Sequence, residues 1–208
     1  MTFVTFVRHA TTEWMEQGRV HGRLDSPLSE RGRREAHLTA LHLKHDNFEA
    51  FYTSPALRAV ETARIIGEEM DMQSIVLRGL REVDFGCMEG KDLDTPPGAK
   101  PTLWFYLRWA FAFPFMMLTG EFWPHFTRRV AAVFRSIHEN HPEDRVLVVA
   151  HSGVHTAMLH TAALRDPRRR LGRYPLAPCG ITQIVIGPNG QGRLIALNQT
   201  EHLAASAI

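Results

Sequence analysis

Helical and strand periods follow one another along this chain. TFVTFV (Thr2–Val7) is a continuous apolar, β-branched run, as expected of a strand covered on both faces. After a polar, glycine-containing loop, Ser29 stands at a capping position ahead of a predicted helix over residues 30–44. There Gly32, Ala36, Ala40 and Leu43 recur at helical spacing. AFYTSP predicts a short strand running into a helix start, with Ser54 as cap and Pro55 at the first helical position. ALRAVETARIIGEEM extends that helix, with Ala59, Ala63 and Ile66 on one face, and SIVLR (Ser74–Arg78) predicts a third short strand. Residues 121–140 predict a long helix whose Phe126, Val130, Phe134 and Ile137 form an apolar stripe. RVLVVA (Arg145–Ala150) is the clearest strand, and HSGVHTAMLHTAAL predicts a helix opening directly from it. ITQIVI, a Pro-Asn-Gly turn and RLIALN predict a hairpin.

Strands alternating with helices predict an α/β fold, a three-layer α/β/α sandwich around a mostly parallel sheet with one antiparallel edge strand. The expected organisation is a single domain over residues 1–208, with an apolar insert at about 92–120 forming a lid. In such sheets ligands bind at the carboxyl ends of the strands. Arg8 and His9 end the first predicted strand, Arg58 lies in the first helical turn after the second, and His151 directly follows RVLVVA. Four basic side chains far apart in sequence are thereby expected on one rim.

Composition narrows the classes. A hydrophobic share of 44% with 22% charged residues describes a globular rather than a disordered chain. A net charge of +2 is too small for a general nucleic-acid binder. Cys87 and Cys179 form neither a disulfide framework nor a ligand cluster, so free thiols in a reducing compartment are expected. No signal-peptide pattern precedes TFVTFV, which makes the cytoplasm the expected location. Oligomeric state is not set by these features.

The converging residues suit phosphoryl transfer, which is mostly a matter of positioning and charge stabilisation. Arg8 and Arg58 can grip phosphate oxygens through paired hydrogen bonds, and the helix start at Ser152 and Gly153 offers backbone N–H groups to the same anion. A neutral imidazole at His9 can attack phosphorus, and a protonated His151 would add a donor. No metal or cofactor is expected. The leaving oxygen needs a proton, for which LREVDFGCMEG offers Glu82, Asp84 and Glu89, and position does not choose among them.

Nearly the whole chain resembles the histidine phosphatase, or phosphoglycerate mutase-like, superfamily. RHATTEW is similar to the family's R-H-G-E-T-x-W opening, DSPLSERGRREA to D-x-P-L-T-x-x-G, and TSPALRAVETA to S-x-x-x-R-A-x-x-T-A. LREVDFGCMEG resembles L-x-E-x-x-x-G-x-x-E-G, VVAHSG resembles V-x-H-G, and LNQTEHL a common ending. The resemblance implies the phosphoglycerate mutase-like fold, His9 as nucleophile, Arg8, Arg58 and His151 as the phosphate pocket, and Glu82 as proton donor. It implies a metal-independent phosphomonoesterase acting on a small-molecule phosphate ester. The alternatives are mutase-type phosphoryl transfer and a catalytically impaired phosphate-binding module.

This sequence departs from the pattern at Ala10 for glycine, Thr11 for glutamate, Met15 for a phosphate-contacting asparagine, and His21 for a glutamine or threonine. His21 is placed among the phosphate or substrate contacts, and Met15 is expected to pack. His151 and His155 stand at i, i+4, which two metal ligands could use. Neighbouring arginines and the missing H-E-x-x-H glutamate argue against a metal. His37, His42 and His45 are expected on an exposed helix face. RDPRRRLGRYP (Arg165–Pro175) is expected to be a solvated basic loop. LWFYLRWAFAFPFMML (Leu103–Leu118) is too short to span a bilayer, which needs about 20 apolar residues. A core helix pair, or a wall of the pocket favouring bulky apolar esters, is expected there before a membrane or partner surface.

Overall fold

The computed structural model describes residues 1–92, 102–161 and 176–207. The predicted basic loop at Arg165–Pro175 and the start of the apolar insert, residues 93–101, lie outside the described residues. Among the described residues six strands form one sheet, in the order β3-β2-β4-β1-β5-β6. They are β1 (Thr2–Arg8), β2 (Ala50–Thr53), β3 (Ile75–Val76), β4 (Arg145–Ala150), β5 (Ile181–Ile186) and β6 (Gly192–Gln199). Helices are α1 (Glu13–Glu16), α2 (Glu30–Leu43), α3 (Leu57–Met70), α4 (Leu103–Thr119), α5 (Trp123–Asn140) and α6 (Ser152–Thr161).

The most apolar strands occupy the middle of the sheet. β1 pairs parallel with β4, from Phe3 opposite Arg145 to Arg8 opposite Ala150, and antiparallel with β5. The α/β sandwich is as expected, with one adjustment: the strand that runs against the others is β5, one place in from the edge, and β6 closes the sheet. Two apolar layers sandwich it. On one face Val4, Phe6, Val146 and Val148 pack with the α5 stripe Phe126, Val130, Phe134 and Ile137. On the other, Val7, Leu147 and Val149 pack with Ala40 and Leu43 of α2 and Ala59, Ala63 and Ile66 of α3. Alternation along a strand sends neighbouring side chains to opposite faces, so one continuous apolar run serves both layers.

Several element ends differ from expectation. The third strand keeps only Ile75 and Val76, both exposed at the sheet edge, because a 3-10 turn begins at Arg78. α5 starts at Trp123 rather than residue 121, with Phe122 as its cap residue and Pro124 in its first turn. Glu121 instead pairs with Arg129 at 2.5 Å and Arg23 at 3.4 Å. Ser54 does not cap α3. The cap residue is Ala56, which contributes no side-chain bond, and the Leu57 N–H donates to Asp25 Oδ2 at 3.0 Å. A carboxylate from a distant loop thus occupies the N-terminal end of α3, where the helix dipole favours negative charge. The apolar run is not a core helix pair. It forms the single helix α4, which contains Pro114 and exposes one face.

Candidate active site

At the carboxyl ends of β1, β2 and β4 the chain gathers the residues singled out from sequence. His9 leaves β1 with its backbone N–H donating to Ala150 O at 2.9 Å, which locks the strand end against the end of β4. Its ring is buried, and Nδ1 lies 2.9 Å from Ala10 O. A carbonyl can only accept, so the ring proton sits on Nδ1 and the lone pair resides on Nε2. Burial lowers the pKa of His9 well below the ordinary imidazole value, with the positive surroundings of Arg58, His151 and Arg8 acting the same way. His9 is therefore a neutral base with a free lone pair.

Arg58 is fully buried and held through both of its terminal nitrogens. Nη1 donates to Asp25 Oδ1 at 2.7 Å and Leu24 O at 3.1 Å, and Nη2 to Gly22 O at 2.6 Å and His151 Nδ1 at 3.3 Å. Arg8 is fixed from the opposite end of the chain, with Nη1 donating to Leu176 O at 2.6 Å and Nη2 lying 3.8 Å from Met15 Sδ. Met15 thus packs on a guanidinium instead of offering it a polar partner. Burial lowers the pKa of both arginines, yet a guanidinium stays charged throughout the range in which proteins work. Each retains a buried Nε donor without a hydrogen-bond partner among the described residues. A buried donor left unpaired costs about 1–3 kcal/mol, and the natural partner for two guanidinium donors in one pocket is an oxyanion.

His151 stands 5.2 Å from His9, ring centroid to ring centroid, in an edge-on arrangement. Because Arg58 only donates, His151 Nδ1 accepts, and its Nε2–H is directed at Ser54 Oγ, 2.7 Å away. Burial first, then Arg58 and Arg8, holds its pKa well below the ordinary value, so the ring is neutral here rather than the cation considered from sequence. An anion in the pocket would oppose that shift. Ser54, expected as a helix cap, serves to orient His151. Ser54→Ala is expected to lower kcat/KM roughly tenfold by freeing the His151 ring, and steady-state kinetics beside a thermal melt would separate this from a loss of fold.

The acid candidates separate by environment. Glu89 accepts from the backbone N–H groups of Arg23, Leu24 and Phe85 at 2.8, 2.6 and 3.0 Å, fastening two loops together. Asp84 accepts from Gly86 N and pairs with Arg23. Glu82 alone is buried beside the arginines, with Oε1 accepting from Val83 N and Oε2 from Gly153 N, both at 3.0 Å. Burial raises its pKa above the usual carboxyl value, although both backbone bonds and then Arg58 and Arg8 pull it down. The Gly153 N–H, expected to reach phosphate, is therefore given to Glu82, while half-buried Ser152 opens α6 beside it. A Cβ on Gly153 would lie 2.2 Å from Glu82 Oε1. Gly153→Ala is expected to displace the acid and lower kcat about 100-fold while circular dichroism stays unchanged.

His21 sits at the edge of this cluster, 3.4 Å from Thr12 Oγ1 and stacked on Trp14 at 5.2 Å. Burial, with Arg58 and Arg8, lowers its pKa to about 3. Thr11, the second departure from the family pattern, gives its N–H and hydroxyl to buried Glu35 at 3.1 and 2.7 Å, bracing the loop behind His9. His155, the other half of the i, i+4 pair, is buried edge-on against Phe6 of β1. Among the described residues no three histidine, cysteine, aspartate or glutamate side chains group as metal ligands. Sequence reasoning assigned no role to Asp25 or to the Ser54–His151 bond. A fully buried arginine needs a carboxylate partner, and Asp25 in DSPLSERG is a signal for one.

A family model of the histidine phosphatase superfamily (branch 1) matches residues 4–200. The chain belongs to that superfamily. Among histidine phosphatases it is 30% identical over 167 residues to the uncharacterized phosphatase PhoE of Bacillus subtilis strain 168, covering 80% of each chain. It is 33% identical over 148 residues, 71% of each chain, to the putative phosphoserine phosphatase 2 of Hydrogenobacter thermophilus. A solved phosphoglycerate mutase from Bacillus anthracis superposes with a TM-score of 0.78 at 25% identity, over 98% of this chain and 95% of that one.

Proposed function

We propose that this histidine phosphatase hydrolyses phosphate monoesters through a phosphohistidine on His9, without a metal. The observation that carries this reading is a neutral His9 whose Nδ1 is tied to Ala10 O, in one buried cluster with two guanidinia that each keep an Nε donor unpaired among the described residues. His9 Nε2 forms a bond to phosphorus as the bond from phosphorus to the ester oxygen breaks. Glu82, whose pKa is raised, gives its proton to the departing oxygen. Arg8, Arg58 and His151 hold the phosphoryl oxygens, and the two arginines supply the positive charge for which other phosphatases use metal ions. Water then attacks the phosphohistidine, the Glu82 carboxylate takes its proton, and orthophosphate leaves with the His9 lone pair restored.

The substrate proposed is a small-molecule phosphate ester with a bulky or apolar leaving group. Support comes from α4, whose apolar helix joins the loop that carries Glu82. Free Cys87 and Cys179 support a reducing compartment, the cytoplasm. Hydrolysis of p-nitrophenyl phosphate in EDTA, with a substrate panel alongside, tests the reading. Turnover is expected to survive EDTA, and aryl and long-chain phosphates to outperform 3-phosphoglycerate. Loss of turnover in EDTA would overturn the mechanism, and equal rates across the panel would overturn the substrate class.

A further inference from the structure

The exposed side of α4 serves nothing in that mechanism. Leu103, Leu107, Phe111, Phe115 and Leu118 follow at steps of four, four, four and three residues, which aligns them along one helix face. They are 74%, 52%, 80%, 56% and 83% exposed, and Phe122 and Trp123, at the start of α5, are 47% and 46% exposed. Single exposed apolar side chains are ordinary on a protein surface, whereas a contiguous strip marks a site of contact.

We propose that this face of α4 docks on a lipid bilayer, lying along its surface. Length excludes a span: 17 residues make a helix of about 25 Å, against a hydrocarbon core of about 30 Å. Pro114 also interrupts the helix, and no described helix is long and apolar enough to cross a membrane. Area decides against a second copy of the chain. A strip about 25 Å long and about 10 Å wide gives about 250 Å² per copy, and doubling for side-chain relief brings two copies to about 1,000 Å², short of the roughly 1,200–2,000 Å² of a stable interface. A bilayer needs no matching partner surface. The residues suit it too, with leucine and phenylalanine along the strip and Tyr106 and Trp123 of the kind that settles at headgroup depth.

The strip is rigidly joined to the catalytic loop. Cys87 N–H donates to Thr119 Oγ1 at 3.0 Å and Glu121 N–H to Asp84 O at 2.9 Å, across the end of α4. Gly86, at φ +53, allows this contact, since a Cβ there would lie 2.2 Å from Thr119 Oγ1. Docking through α4 therefore holds the segment that carries Glu82 close to the lipid surface.

Vesicle sedimentation of the full chain tests the proposal, using phosphatidylcholine vesicles alone and with 30% phosphatidylglycerol (about 30%, an ordinary anionic fraction). The wild type is expected to sediment with both. Phe111→Glu/Leu118→Glu is expected to reduce the bound fraction at fixed lipid at least about tenfold, with an unchanged circular dichroism spectrum and thermal melt. Leu118→Ser alone, at the most exposed position, gives a milder loss in the same direction should the double variant fold poorly. A wild type that stays in solution with both vesicles overturns the proposal, as does equal sedimentation of wild type and variant. Sedimentation only with the anionic vesicles, insensitive to the substitutions, would assign binding to surface cations and overturn it too. A concentration-dependent dimer that the double variant converts to monomer, without vesicle binding, would make the strip a contact between copies.

Discussion

Replacing His9 with alanine is expected to cut the hydrolysis of p-nitrophenyl phosphate by at least about 10⁴-fold, the scale on which removing a covalent nucleophile acts. Binding should survive, because Arg8 and Arg58 are held by Leu176 O, Leu24 O, Gly22 O and Asp25 and not by His9. Orthovanadate affinity by calorimetry is thus expected to change only a few-fold while turnover disappears. Rapid alkaline quench with labelled substrate, in which the P–N bond of phosphohistidine survives, should trap phosphoprotein in the wild type and none in the variant. The lowered pKa of His9 fixes the acid side of the pH profile. A group already neutral in the free enzyme gains its proton only well below about 6.5, the ordinary imidazole value. After correction for ionisation of the substrate, kcat/KM is therefore expected to show no acid limb near that value. Residual activity above one part in about a hundred in the alanine variant would place the nucleophile elsewhere.

Glu82→Gln separates proton donation from the rest of the chemistry. With an alkyl phosphate the leaving alkoxide needs its proton, and the loss in kcat/KM, which reports formation of the phosphoenzyme and not the later step in which Glu82 acts as base, is expected to reach about 10²–10⁴-fold. p-Nitrophenolate leaves without one, so the loss there should stay within about tenfold. Comparable losses for the two substrates would remove Glu82 as the acid. The pH dependence follows from the direction of its shift. Burial raises its pKa, so the protonated form persists above the usual carboxyl range, and activity on alkyl phosphates falls as pH rises through that raised value. The glutamine variant should lack this alkaline limb.

Periodicity and motif order made the core of the fold and the gathering of His9, Arg8, Arg58 and His151 readable in the sequence. Long elements announce themselves: the stripe of α5 and the apolar runs of β1 and β4 carry enough residues for the period to stand out. Short elements do not. Ser54 followed by proline has the local chemistry of a cap, but a buried imidazole 97 positions away competes for its hydroxyl, and Asp25 supplies the negative charge at the helix end. Gly153 looked like a phosphate-binding amide because helix N-termini bind anions. The acceptor it meets is the Glu82 carboxyl group, a partner that only the tertiary structure identifies. Among three loop acids, burial singles out Glu82, and burial is not written in a loop of mixed polarity. α4 is the opposite case. Its apolar composition left a core helix pair, a pocket wall and a contact patch open, and the helix shows one apolar face to solvent.

The order in which the polypeptide is made bears on when this protein can act. Arg8 emerges first, but its N–H bonds Gly180 O, its carbonyl receives the Cys179 N–H, and its guanidinium rests on Leu176 O. β1 likewise lies between partners from the far half of the sequence, at residues 145–150 and 181–186. A ribosome-bound chain that has not yet released β4 and β5 therefore has its nucleophile and no fixed Arg8. Such long-range pairing makes folding slow, and it withholds competence until the final strands have joined the sheet.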